Sequence, residues 1–546
     1  MTGPAMGRPK SATFRTADIA GVDVMYHVIK NLTDRVTDDA TRRWFAMPPI
    51  VEDLVKRGWV GEKAGQGFYK RVKGGGGKSE ILALDPATME YRPQQKVKLG
   101  AIEAGRQVET LEERVKLLFL ARDKVGEFMR ETLAPTLVYT AKVAPGIADS
   151  IDDVDRAMRW GFGWELGPFE LFDAIGVKEV LHASGVTEVP ALVQQALDSG
   201  RNAFRDNDLP PQEPQLCLLK AARERHHVVK HNAGASLVDI GDGVLCVEFH
   251  SKMNAIGPDT AQMLQAGVKE AEKDFRALVV GNDAQNFSAG ANLLLLLLEA
   301  QEGNWDEVDL MIRGFQATTM GLKYANVPVV VATSGLVLGG GCEIVLHGDR
   351  VQAAGETYMG LVEVGVGLIP AGAGTKEMTL RAMDGAAPTQ DLVGRIQKSF
   401  EQIGMGKVAT SAGEARKMGY LRPVDRISMN RDRVLCDAKD LALVLAREGY
   451  QRPAPRQVLV GGEAVRSALI LGIHLMWRAG YISDHDKLIG GKLAHIMAGG
   501  ALPHPAYVSE QYLLDLEREA FLSLCAERKT QERIQHMLKT GKPLRN

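Results

Sequence analysis

The sequence predicts a two-part chain, with a helical N-terminal part and an α/β part that ends in further helix. Three observations carry this. Residues 111–141 keep a helical apolar spacing, and the stretch around them repeats an earlier segment. From residue 236 onward, short β-branched apolar runs alternate with amphipathic helical patterns, the order that builds α/β layers. Between the two parts, at about 198–216, lies a stretch rich in proline and polar residues, a linker composition. A chain of 546 residues has room for about three domains.

The first part is organised by its repeat. Phe14, Asp18, Gly21 and Val22 recur at the same spacing as Phe169, Asp173, Gly176 and Val177, and each copy follows a turn with glycine and proline, Gly7-Arg8-Pro9 and Gly167-Pro168. The second copy is preceded by the long helical pattern and by an acidic stretch, 149–155; the first has no such lead, so the chain is expected to begin inside a unit. That accounts for a basic, acid-free start (Arg8, Lys10, Arg15), which otherwise has a transit-peptide composition. Gly74 to Gly77 with Lys78 and Ser79 mimics a phosphate-binding loop, but Val72 stands where its first glycine belongs, so a hairpin tip is expected. No Gly-x-Gly-x-x-Gly turn follows a predicted strand.

In the second part, runs at 236–240 and 244–249 predict paired strands around Gly241-Asp242-Gly243, a helix over 259–275 follows, and 277–281 predicts a buried strand. Six leucines, Leu293 to Leu298, predict a buried helix turn, and a helix over 305–324 leads to a strand at 327–332. Then comes Gly339-Gly340-Gly341-Cys342-Glu343, opening another helix. Glycine lets backbone come close to a ligand, and the first amides of a helix have no internal partner. A carboxylate in that first turn sits beside whatever the amides hold. Residues 456–546 predict helices that dock against the other domain, with nothing catalytic among them. His227 and His231 would share a helix face near His226, but no third ligand type joins them, so no metal is expected.

Composition narrows the field. The formal net charge is −2, and neither a basic stripe nor an RNA-type aromatic motif points to nucleic acid. Five scattered cysteines without a Cys-x-x-Cys pair argue against structural zinc and a disulfide framework, and suit a reducing, cytoplasmic setting. No apolar stretch reaches membrane-spanning length.

Two resemblances follow from the motifs. Gly58-Trp59-Val60-Gly61-Glu62-Lys63-Ala64-Gly65-Gln66-Gly67-Phe68-Tyr69, with Gly163, Gly167-Pro168-Phe169 and Asp173, resembles the duplicated helical C-terminal domain of 3-hydroxyacyl-CoA dehydrogenases over most of residues 1–190. Asn254-Ala255-Ile256, Phe287-Ser288-Ala289-Gly290-Ala291-Asn292-Leu293, the glycine triplet with Glu343, and the block from Gly360 through Glu363 to Pro370 resemble enoyl-CoA hydratases of the crotonase superfamily, in order and spacing. Together they look like a fused bacterial fatty-acid oxidation protein without an N-terminal NAD-binding domain.

The implied fold is an all-α dehydrogenase C-terminal-like domain (1–195, first repeat truncated), a linker (196–216), a crotonase α/β core of repeated ββα spiral units (217–400) and a helical C-terminal region (401–546). The implied function is hydration of trans-2-enoyl-CoA to 3-hydroxyacyl-CoA, with the dehydrogenase half inactive unless a missing NAD domain is supplied. The hydratase needs no cofactor or metal, and NAD belongs only to a complete dehydrogenase. By the family pattern, Ala291 and Gly340 supply the oxyanion amides, Glu343 activates water and Glu363 handles the Cα proton. Ala289, Ala291, Asn292, Leu293 and Leu294 line the substrate entrance. Asn292 stands where the family usually has aspartate, and Gly372-Ala373-Gly374 departs from a Gly-Gly pair in a way expected only to adjust a turn. Two alternatives remain open, a Δ3–Δ2 enoyl-CoA isomerase and a non-catalytic acyl-CoA-binding module that assembles with a thiolase, a dehydrogenase or further copies of itself.

Overall fold

The computed structural model describes residues 1–37, 42, 45–73, 79–95, 98–108, 110–205, 219 and 227–546. The chain divides into two compact units, Met1–Asp208 and Leu209–Asn546.

In the first unit, α1 (Ala12–Ala20), α2 (Val22–Arg35) and α3 (Pro49–Lys56) join an antiparallel sheet of β1 (Tyr69–Lys73), β2 (Ser79–Leu84) and β3 (Tyr91–Pro93). Their core holds Val22, Val51, Leu54 and Phe68. A larger helical lobe follows: α4 (Leu111–Leu120), α5 (Lys124–Val143), α6 (Ile151–Phe162), α7 (Pro168–Ile175), α8 (Val177–Ser184) and α9 (Ala191–Asp198). The predicted helix over 111–141 is thus two helices. Asp123 divides them, because its side chain caps the Val125 and Gly126 amides and starts α5 afresh. The small sheet is an addition to the all-α expectation. Its β1–β2 register closes at Lys73 and Ser79, as the hairpin reading requires, while the tip at 74–77 lies outside the described residues.

The repeat is visible in the bonding. Asp18 in α1 accepts the Phe68 and Tyr69 amides, both at 2.8 Å. Its counterpart Asp173 in α7 accepts the Phe204 amide at 2.6 Å and pairs with Arg205 at 2.9 Å. Each helix ends at a left-handed glycine, Gly21 (φ 104°) or Gly176 (φ 116°), from which the next helix leaves. One device, an acid at a helix end clasping a returning strand of backbone, therefore closes both lobes. Arg205 also pairs with Asp152 and Asp155, and the Phe204 ring stands edge-on to Phe169 and Phe172. Residues 196–205, expected in the linker, accordingly belong to the first unit. The rest of that linker, 206–216, and His226 lie outside the described residues.

The second unit is built on a seven-stranded sheet in the order β10-β9-β8-β7-β6-β5-β4. Strands β4 (Val228–His231), β5 (Ala235–Asp239) and β6 (Val244–Phe249) are antiparallel, and β7 (Ala277–Gly281), β8 (Val329–Leu338), β9 (Arg350–Gly360) and β10 (Arg426–Ser428) continue the sheet in parallel. His227 and His231 flank and end an edge strand, not a helix. The crossovers are α10 (Pro258–Asp274), the pair α11 (Leu293–Glu302) and α12 (Trp305–Lys323), and the short α13 (Gly340–Leu346).

The β8–β9 register shifts after Thr333↔Ala353 and resumes at Gly335↔Thr357. A bulge of this kind bends a strand. Beyond it, Val337 bridges to Ser288, and Ile256 bridges to Ala291. The bent strand ends form a second layer that delivers the chain to the glycine triplet.

Helices α14 (Gly374–Met383), α15 (Leu392–Gly404) and α16 (Val434–Arg447) precede a two-stranded sheet, β11 (Gln457–Val460) with β12 (Ala506–Ser509). A further short helix spans Ala412–Met418, and after the small sheet's first strand come α17 (Gly462–Arg478), α18 (Asp484–Met497), α19 (Glu510–Cys525) and α20 (Arg528–Thr540). The C-terminal region is thus helical apart from three short strands. It packs on its own unit. The apolar stripe of α19 (Leu513, Leu514, Ala520, Leu524) is buried, Gln316 of α12 donates to the Leu514 carbonyl at 3.0 Å, and Arg518 pairs with Asp309 at 2.6 Å.

A buried charge cluster ties this tail to α13. The Lys376 ammonium, wholly buried, donates to Glu377 (3.0 Å), Glu510 (2.8 Å) and His347 Nε2 (3.0 Å), while Lys323 reaches the same two carboxylates at 2.8 and 2.9 Å. Burial, followed by the Lys376 charge, pushes the His347 pKa well below its usual value, so the ring is neutral. Lys376 donates to Nε2, so the ring hydrogen is on Nδ1, which donates to the Glu343 carbonyl at 2.6 Å. Burial alone would raise the carboxyl pKa of Glu510, but Lys376 and Lys323 outweigh it and hold the group at about 2.

Two predictions follow from this bonding. Asp18→Ala and Asp173→Ala should each lower the stability of the first unit by about 2–4 kcal/mol, since each strands amides that a charged group had satisfied; denaturant titration reads this. Lys376→Met leaves two buried carboxylates against one lysine and should cost the second unit about 3–5 kcal/mol. With Glu510 held below its unfolded value of 4.5, its contribution is complete above that pH and is lost as pH falls towards about 2, so the wild-type advantage over Lys376→Met should narrow in acid.

Candidate active site

Strand β8 ends in the glycine triplet, and the three residues serve different needs. Gly339 has φ 52° and ψ −124°, and a Cβ there would stand 3.2 Å from Glu363 Oε1. Gly340 begins α13, so its amide has no helical acceptor. A Cβ on Gly340 would lie 3.7 Å from the Ala291 nitrogen and 3.3 Å from the Phe315 ring. Ala291 reaches this place through its bridge to Ile256. The Ile256 amide donates to the Gly290 carbonyl (2.8 Å) and the Asn292 amide to the Ile256 carbonyl (2.9 Å), which leaves Ala291's own amide facing the other way. Among the described residues, neither the Ala291 nor the Gly340 amide donates to a main-chain acceptor. The structure thus brings together the two amides that the sequence singled out.

Two carboxyls flank them. Glu343, in the first turn of α13, is buried, and its Oε1 accepts the Gly374 amide at 2.8 Å. Burial raises its pKa to about 7, against the opposing pull of the Gly374 and Gly372 amides and of Lys376. Glu363 opens the short 3-10 turn Glu363–Val366. Both of its carboxyl oxygens are buried without a hydrogen-bond partner. Burial, then the neighbouring Glu343 charge, pushes its pKa well up. The site therefore pairs a carboxyl anchored by a backbone amide with one whose oxygens have no hydrogen-bond partner, beside two free amide donors.

Gly372-Ala373-Gly374 does more than adjust a turn. A Cβ on Gly372 would fall 2.3 Å from the Phe315 ring and 2.7 Å from Glu343 Oε2, so this bend is the seat of the Glu343 carboxyl. Asn292 also has a local role. Its side chain accepts the Leu294 and Leu295 amides at 3.2 and 3.5 Å, capping α11 as aspartate would, but without charge. Ala289, Ala291 and Asn292 are exposed along the loop, and Leu293 packs against the core. The leucine run is half buried: Leu296 and Leu297 face inward, whereas Leu294 is 55% and Leu298 47% exposed. Leu294 and Leu298 are one helical turn apart and share the outer face.

Sequence reading missed the groups that brace the site from the tail. Glu517 of α19 accepts the Ala373 amide at 3.0 Å and the Lys376 amide as well. In α20, Thr530 donates to the Gly367 carbonyl at 2.9 Å, and the buried Arg533 donates to Val364 at 3.3 Å and pairs with Asp486 at 2.7 Å, securing the turn that carries Glu363. One signal was present: Glu510 and Glu517 fall at heptad spacing on the same stripe as Leu513, Leu514 and Leu524, so α19 carries acids on its core face.

The enoyl-CoA hydratase/isomerase family matches residues 239–398, and the C-terminal domain of the 3-hydroxyacyl-CoA dehydrogenase family matches residues 3–71 and 130–206. A Bacillus subtilis (strain 168) protein described as a probable 3-hydroxyacyl-CoA dehydrogenase is 45% identical over 562 positions, spanning 100% of this chain and 70% of its own. A Rickettsia felis protein, assigned by inference as a fatty acid oxidation complex trifunctional enzyme, is 27% identical over 539 positions, spanning 98% of this chain and 68% of its own. A probable enoyl-CoA hydratase of Rhizobium meliloti is 29% identical over 171 positions, 31% of this chain and 63% of its own. The second unit thus has the crotonase fold, and the chain belongs to the 3-hydroxyacyl-CoA dehydrogenase family, in a form that joins that family's C-terminal helical domain to an enoyl-CoA hydratase/isomerase domain.

Proposed function

We propose that the second unit adds water across the double bond of a trans-2-enoyl-CoA thioester, giving a 3-hydroxyacyl-CoA in fatty-acid β-oxidation. The observation that carries the reading is the unlike pair of carboxyls beside two free amides. Glu343 as carboxylate takes a proton from water while the water oxygen bonds to Cβ. Negative charge passes to the thioester oxygen, where the Ala291 and Gly340 amides meet it. Glu363 as acid then delivers its proton to Cα. The Phe315 ring walls the same space and keeps it apolar. The exposed 289–294 loop is the entrance for the CoA end, whose remote contacts position the acyl group.

The first unit is read as the helical half of a dehydrogenase. Among the described residues its strands are short and antiparallel, whereas a dinucleotide turn is built on parallel strands. These residues do not fit a nicotinamide cofactor. Dehydrogenase activity would need an NAD-binding domain to act with this unit, and the names of the Bacillus subtilis and Rickettsia felis relatives support that setting. No helix among the described residues is long and apolar enough to cross a membrane, in keeping with a proposed cytoplasmic site of action.

Loss of the enoyl-thioester absorbance with crotonyl-CoA and with a longer trans-2-enoyl-CoA tests the proposal. Wild type should hydrate at least one of them, and Glu343→Gln and Glu363→Gln should each fall at least about a hundredfold in kcat. Retained conversion of a 3-enoyl-CoA by Glu343→Gln would put an isomerase in its place. Binding of acyl-CoA without turnover of either substrate would favour an assembly role.

A further inference from the structure

Glu517 stands apart from the other buried acids of the tail. Glu510, on the same face of α19, is neutralised by two lysines, whereas the described bonds of Glu517 are to backbone amides alone. It is completely buried. Its two oxygens take the amides of Ala373 and Lys376, and Gly374, lying between those residues, gives its amide to Glu343. Two carboxyls thus share the start of one helix, α14. The turn they share is strained: Ala373 has φ 85°, a left-handed conformation in which a residue with a Cβ is unfavourable. Without a carboxyl to hold its amide, nothing in that geometry favours the bend that seats Glu343.

The charges around Glu517 point the same way. Glu343 acts on it from α13 and Lys376 from α14, and Glu517 in turn acts on Glu363. On the packed helix α12, Asp309 is bound to Arg518 and Lys323 belongs to the Glu510 cluster, so neither cation is committed to Glu517. Burial and then Glu343 raise the Glu517 pKa well above its ordinary value, and Glu517 adds to what raises Glu363. Each of these buried charges opposes the ionisation of a neighbouring carboxyl, so the three are coupled in titration.

We propose that Glu517 is a third carboxyl of this centre, a positioning residue that holds the turn seating Glu343 and shares the proton balance of the Glu343 and Glu363 pair; this rests on the hydratase reading. As pH rises, a charged Glu517 opposes the departure of the Glu363 proton, and so extends the range in which the acid is available.

The test compares wild type, Glu517→Gln and Glu517→Asp in the full chain, with kcat and KM followed against pH. Glu517→Gln removes the charge, so the alkaline limb should move to lower pH by about one unit. Glu517→Asp keeps the charge on a shorter arm. Its limb should stay with wild type while kcat falls at least about tenfold, and KM should hold within about twofold. A Gln variant whose limb overlays wild type overturns the proposal, and so does an Asp variant with wild-type kcat. If the Gln variant does not fold, the Asp variant still decides by that second criterion. A substrate-free readout separates this from the hydratase reading: the infrared band of protonated buried carboxyls, titrated in wild type and in a folded variant. For Glu517→Gln, the midpoint of the remaining carboxyls should drop; an unchanged midpoint overturns the proposal even if wild type hydrates poorly. A lowered midpoint in a protein that turns over no enoyl-CoA supports the shared proton balance and sinks the hydratase reading alone.

Discussion

Glu343 and Glu363 are kept out of water side by side, and much of the second unit can be understood as the means of doing so. A carboxylate deprived of solvent needs donors that do not compete for its reactive face. Backbone amides meet that need, because a turn can aim them without adding a side chain. The Gly374 amide does so for Glu343, while the Glu363 oxygens have no hydrogen-bond partner and burial pushes its pKa up. On the proposed hydratase reading, the difference between one satisfied and one unsatisfied acid is what separates a base from an acid made of the same residue type.

That arrangement sets demands further out. The bend at Gly372-Ala373-Gly374 must keep its shape, and α19 braces it through Glu517. The turn at Glu363 must stay closed, and α20 braces it through Thr530 and Arg533. The lysine–glutamate cluster fastens α19 to α14 and, through neutral His347, to the Glu343 carbonyl. A tail that resembles an appendage in the sequence is part of the wall of the site.

Legibility from sequence followed the range of the interactions. The strand runs at 244–249 and 277–281 coincide with β6 and β7, because a fully buried strand writes its burial into consecutive residues. The glycine triplet and its glutamate were readable because turn, amide and carboxyl are adjacent in the chain. The break between α4 and α5 was hidden under a continuous helical pattern, which does not register a capping aspartate. The place of Phe204 and Arg205 in the first unit was masked by polar composition, although both residues are anchored by Asp173. The bracing role of Glu517 was out of reach for another reason. Its partners lie 144 and 141 residues earlier, so the apolar stripe can put Glu517 on the core face of its helix but cannot say what it meets there.

The long reach of these braces bears on how the protein is made. Arg533 holds a turn 169 residues before it, and Glu510 meets Lys323 across 187. The braces from α19 and α20 are the last parts of the site to be made, so Glu343 and Glu363 cannot reach the described arrangement until residues 517–533 are available. A nascent chain that folded its sheet before then would be open on the side these helices cover. In such a chain the apolar stripe that α19 will cover is exposed, and a chain stalled before residue 510 would be a sheet without a working pocket and with a sticky face.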